Sequence, residues 1–181
     1  MPQELLSAVV SYCSPAELFQ FHDWQQVADL VRDGDGPRPS RAMLLDTGSA
    51  AGQIVQQALL AASGELESAC LAGNRYRPGD LVALTGGTTA SAVRLKKLVA
   101  DLAYWSLMQR RQPASADPKN CPGAQQAIDT LQQLREGQRV FGFAETGDAG
   151  LASTVAPDVS ARPKAIEIQA YRFFGDHANR Q

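Results

Sequence analysis

Apolar residues recur at helical spacing from Leu18 to Leu134. The longest run is Val55, Leu59, Ala62, Leu66, Ala69, Cys70 and Gly73, whose steps of three, four and one put them on one helical face. The pattern predicts a helix from about Ser49 to Ala72. Ala58, Ala61, Ser63, Gly64 and Ser68 keep its flanks thin, so it is expected at the centre, touched on several sides. Gly64 costs ~1 kcal/mol of helix propensity in that interior, which predicts a neighbour packed closely over it. Gly73-Asn74 is expected to supply the positive φ that ends the helix.

Ser14-Pro15-Ala16-Glu17 is a strong helix start, with a reciprocal Ser/Glu cap and a proline where no amide is needed. Leu18, Phe19, Phe21, Trp24, Val27, Leu30 and Val31 follow. Their spacing fits either one helix or two short ones turning near His22-Asp23, with Asp23 capping the second. Asp33-Gly34-Asp35-Gly36-Pro37 ends the run. Residues 37–48 read as a connector with a short apolar patch, Ala42-Met43-Leu44-Leu45. Residues 74–91 read as a long loop. A third strong helix is predicted from about Ala90 to Arg111, striped by Leu95, Leu98, Val99, Leu102, Trp105 and Met108, with Lys96 and Lys97 pointing away. A fourth, shorter helix begins near Pro122 and ends at Gly137. Residues 138–144 fit a short strand or a packed turn.

The fold class expected is therefore mainly α: a compact bundle of about four helices, spanning 1–144, with 1–13 as a short helix or extended arm. Residues 145–163 are rich in Gly, Ser, Thr and Pro and read as a linker. Residues 164–181 form a C-terminal arm in which Ala165–Tyr171 alternates like a β-strand.

Length and composition agree with one soluble domain: 181 residues, 44% hydrophobic, 20% charged and 7% aromatic, with a core leaning on Leu, Val and Ala. No stretch approaches the ~18 uninterrupted apolar residues of a membrane span, and the first residues lack a signal-peptide pattern, so the cytoplasm is the default. Cys13, Cys70 and Cys121 are odd in number and widely spaced. Neither a disulfide framework nor a zinc site is expected, and Cys70 reads as a small buried hydrophobe.

The net charge of −2 conceals two poles. Residues 1–36 hold six acids against Arg32 alone, and residues 81–111 hold Arg94, Lys96, Lys97, Arg110 and Arg111 against Asp101. Opposite poles suit head-to-tail contact between identical subunits; two ordinary solvated helix faces are the plainer reading.

Motifs for chemistry are weak. Asp33-Gly34-Asp35-Gly36 starts like a calcium loop, but Pro37, Arg38 and Leu44 stand where an acid, a glycine and the terminal carboxylate belong. Gly86-Gly87-Thr88-Thr89 lacks the Gly-Lys-Ser/Thr of a phosphate loop and reads as a helix cap. No Gly-x-Ser-x-Gly elbow is present. His22 fits a helix cap or an interface, and His177 lies near the end of the chain. No catalytic, cofactor or metal site is expected. The candidate interface residues are Arg75, Tyr76, Arg77, Lys96, Lys97, Tyr171, Arg172, Phe173 and Phe174. Tyr76 at its corner is expected to stack into the core with its hydroxyl and both arginines wet. The Tyr171–Phe174 cluster follows a linker, so docking on a neighbour is the favoured expectation.

Asp33-Gly34-Asp35-Gly36, Ala58-Leu59, Ala62-Ser63, Glu65-Leu66, Gly73 and Arg75-Tyr76 together resemble Mu-like phage and prophage structural proteins. That family is described mainly as a domain of unknown function, and is similar to head–tail connector (adaptor) proteins of tailed phages. The resemblance continues through Leu98, Asp101-Leu102-Ala103-Tyr104 and Arg110-Arg111. It extends into Ala127-Ile128, Leu131, Leu134, Gly137 and Phe141-Gly142, covering roughly residues 14–144 in order. The segment from Pro78 to Ala92 is longer than the family's usual turn, and the tail from Glu145 has no counterpart. The resemblance implies a non-enzymatic virion protein made in the host cytoplasm, with no catalytic residues to carry over. It further implies a homo-oligomeric ring of about twelve copies at the neck, bound to portal and to tail or neck proteins, with genomic DNA passing through its channel and no membrane contact. Two other classes stay open. One is a small helical enzyme or ligand-binding domain holding an anion with the Thr85–Thr89 loop and Arg75 or Arg77. The other is a helical DNA-binding protein acting through Lys96, Lys97, Arg110 and Arg111.

Overall fold

The computed structural model describes residues 10–34, 36–114, 116–121 and 123–142. The linker, the expected strand, and the candidate residues Tyr171, Arg172, Phe173 and Phe174 all lie outside the described residues.

Among the described residues there are seven α-helices and no strand. Each start has a local cause. Ser14 accepts from the Glu17 amide at 3.3 Å while its own amide donates to the Glu17 carboxylate at 2.8 Å, opening α1 (Pro15–Phe21). The chain turns extended at His22, and Asp23 accepts from the Gln25 amide at 3.0 Å to start α2 (Trp24–Val31). Of the two readings open for this region, two short helices is the one observed. The connector contains a short helix, α3 (Arg41–Leu45), capped by Ser40, which tucks Leu44 into the core. Ser49 caps α4 (Ala50–Ala72), the longest element.

The expected long loop at 74–91 is not a loop. It contains α5 (Pro78–Thr85), which begins with a proline in the first turn and the Asp80 carboxylate accepting from the Arg77 amide at 2.9 Å. Thr89 then caps α6 (Ala90–Arg111). A single 3-10 turn (Pro118–Asn120) leads to α7 (Ala124–Arg135), and Gly137 closes it at φ 72°. Residues 138–142 form a packed turn, with Val140 and Phe141 buried.

The pair α4 and α6 forms the centre. Helix α7 packs on both, α1 and α2 lie on α6, α3 on α4, and α5 on α6. Leu18, Leu59, Leu66, Leu81 and Leu95 are fully buried between these elements, each contributing about 1.5–3 kcal/mol of transfer free energy. Upstream of α1, the Tyr12 amide donates to Ser63 Oγ at 3.1 Å and the Tyr12 hydroxyl to Glu67, pinning residues 10–13 along α4.

The expectation about Gly64 is corrected. A Cβ on Gly64 would meet nothing within 4 Å, so no part of the described chain packs over it. The close approaches are at the helix ends instead. A Cβ on Gly73 would sit 1.9 Å from the Leu134 carbonyl oxygen, and one on Gly52 would sit 2.0 Å from that of Asp46. The Gly73-Asn74 pair does supply the positive φ after α4, at Asn74 (49°), while Gly73 itself has a helical φ of −77°.

Candidate functional site

The charge poles meet within one molecule. Because α1 and α2 lie on α6, Glu17 pairs with Lys96 at 2.8 Å and Asp33 with Arg110. Arg110 also donates to the Val31 carbonyl and Arg111 to that of Gly34. Burial raises the Glu17 carboxyl, but hydrogen bonds from Lys96 and Ser14 and the charge of Lys96 outweigh it, so the group is held below its ordinary value. Lys97 pairs with Asp101 one turn along α6. Lys96 is thus drawn down onto α1, whereas Lys97 points outward as expected and stays exposed while one of its donors meets Asp101. Two acids of the first pole, Glu17 and Asp33, are therefore engaged within the chain, while Arg94, Lys97 and Arg110 stay exposed.

Tyr76 stacks into the core as expected, but its hydroxyl is buried and not wet. Its ring is 3% exposed and meets the Phe141 ring edge-on at 5.5 Å. The hydroxyl donates to the Phe141 carbonyl at 3.0 Å and accepts from the amides of Val140 and Phe141 at 3.0 and 2.9 Å. It is a buried clasp between the end of α4 and the turn after α7. The flanking arginines are exposed, as expected. Arg75 reaches the Gly137 carbonyl at 3.3 Å, which ties it to the same junction.

A polar cluster that the sequence did not single out lies around Asp101. This carboxylate is buried in α6, with Oδ1 at 3.0 Å from His22 Nε2 and Oδ2 on the Lys97 ammonium. The His22 ring stacks on Tyr104, with centroids 4.3 Å apart and planes within 2°, and the Tyr104 hydroxyl donates to Gln26 at 3.1 Å. Gly123, at φ 83° before α7, leaves no room for a side chain, since a Cβ there would be 2.6 Å from the Asp101 carboxyl carbon. The cluster joins the α1–α2 corner, α6 and the start of α7. Its sequence signals are an acid among the apolar residues of α6 and His22, whose reading as an interface residue fits its place here.

The three thiols are buried. Desolvation, with the nearby Glu17 charge, pushes Cys13 up to about 12; desolvation and Glu67 push Cys70 up to about 11; desolvation and Asp101 raise Cys121. Such thiols carry little thiolate at neutral pH and make poor nucleophiles. Among the described residues, no group of three or more His, Cys, Asp or Glu side chains is placed to hold a metal, and no helix is long and apolar enough to cross a membrane. The Gly86–Thr89 stretch serves as the cap of α6.

In comparisons with known proteins, no protein-family model, curated protein or solved structure matches the chain.

Proposed function

We propose that the chain is a structural protein of a tailed-phage particle, a head–tail connector subunit of the Mu-like kind. It would assemble as a ring beneath the portal, contact tail or neck proteins, and let the genome pass without gripping it. The observation that carries this reading is the ordered series of resembling residues between Asp33 and Gly142. Several of them bind elements together here: Asp33 with Arg110, Tyr76 with Phe141, and Asp101 with His22. Their use in packing is compatible with a scaffold role.

The test is the mass of the full chain in solution, alone and with a Mu-like portal protein. A closed oligomer, or one nucleated by portal, is the expected result. A monomer indifferent to portal, or a turnover traced to the purified chain, would sink the proposal.

A further inference from the structure

Between α6 and α7 lies a crevice of about 80 Å³. A water needs about 10–15 Å³ on this scale, so the space admits a group of a few heavy atoms. Its floor is buried: Leu98, Ala127 and Thr130, with the Asp101 carboxylate at one side. Its rim is exposed: Arg94, Lys97 and Gln126.

The rim is richer in donors than the chain uses. Arg94 offers five N–H groups, and one reaches the Val140 carbonyl at 3.3 Å. Lys97 offers three, and Asp101 takes one. Two cations against one carboxylate leave the lining one positive charge in excess. An occupant should therefore carry a single negative charge and a short apolar stem. The stem would lie on Leu98 and Ala127, and the charged end would face the guanidinium, the ammonium and the Gln126 amide. An inorganic phosphate has no apolar part to set on that floor, and its second charge would stand beside Asp101 without compensation.

We propose that this crevice receives the carboxylate of a glutamate side chain presented by a partner protein, its stem on the apolar floor and its charge at the cationic rim. The site is independent of the assembly reading above, because it would exist equally on a monomer. A planar guanidinium holding two carboxylate oxygens supplies the geometric selectivity.

The experiment is ligand-observed saturation-transfer NMR on the full chain, a method suited to weak ligands at any protein size. The probes are glutamate and glutamine, each capped at both backbone ends, and inorganic phosphate, at matched ionic strength. Capped glutamate should give a saturable signal and capped glutamine none. Arg94→Gln should weaken the signal at least fivefold. Gln126→Glu, on an exposed position, should abolish it by placing a negative charge on the rim, with the melting curve unchanged. Equal signals from the two capped amino acids, wild-type binding by both variants, or displacement of glutamate by equimolar phosphate would each overturn the assignment.

Discussion

Gly64 sits in the interior of α4 with open space where a side chain would be, so its lack of a Cβ serves no packing purpose among the described residues. Gly64→Ala should raise stability by about 0.5–1 kcal/mol, visible as a rise of a few degrees in melting temperature. Gly73→Ala is the contrasting case, because the methyl would land on the Leu134 carbonyl and push α4 off α7. We expect a loss of about 2 kcal/mol or more, and a wild-type melting curve would contradict the crowding. The sequence shows that α4 is thin but not which glycine is crowded, since crowding is set by residues some sixty positions away. Tyr76 teaches the same lesson. Its corner was legible from Gly-Asn-Arg-Tyr, but the three backbone groups that saturate its hydroxyl come from the turn after α7. Tyr76→Phe strands two buried amides and should cost about 2–3 kcal/mol, measured by urea unfolding.

Among the elements, the legible ones were those with a sustained 3.6-residue stripe or a strong cap. Helices α4, α6 and α7 and the start of α1 fall where the pattern places them. The two short helices α3 and α5 lie in stretches that read as connector and loop, because neither is long enough to show a period. Their signals were caps: Ser40 for α3, and Pro78 with Asp80 for α5. Docking of the α1–α2 pair on α6 could not be read from spacing at all. It rests on Leu18, Val27 and Val31 together with two polar ties, Glu17–Lys96 and His22–Asp101. Asp101→Ala leaves a buried imidazole and a half-buried ammonium without their carboxylate. A loss of about 3 kcal/mol is expected, and hydrogen exchange should rise in α1 before α4. The Glu17 tie carries a pH signature. Its carboxyl ionises more readily folded than unfolded, so its contribution is whole above its ordinary value near 4.5 and fades as the pH falls through the folded value. Glu17→Gln should flatten the stability profile below about pH 4.5 and leave its shape above that unchanged. An unaltered acid limb would show that the pair contributes nothing.

For the molecule as a whole, pairing Glu17 with Lys96 and Asp33 with Arg110 inside one chain changes what can hold copies together. A carboxylate already engaged by a lysine of its own molecule has little to offer a neighbour's lysine. If the proposed ring forms, its contacts must come from surfaces that the intramolecular pairs leave unspent. Among the described residues, Met43, Leu45, Leu71, Val82 and Val93 are large apolar side chains 41–57% exposed. Apolar contact strengthens slightly with salt, whereas exposed ion pairs weaken as the screening length falls to about 3 Å at 1 M. The oligomer, measured by sedimentation with portal present, should therefore persist or grow from low salt to about 1 M NaCl. A second arm of the experiment removes residues 164–181, whose Tyr171–Phe174 cluster is the strongest apolar feature outside the described residues. The bundle should keep its melting temperature while the assembly weakens. Assembly that collapses with salt would return the poles to consideration as intermolecular contacts. Assembly indifferent to the truncation would move the adhesive surface onto the bundle itself, with Met43→Asp and Val82→Asp as the variants that locate it.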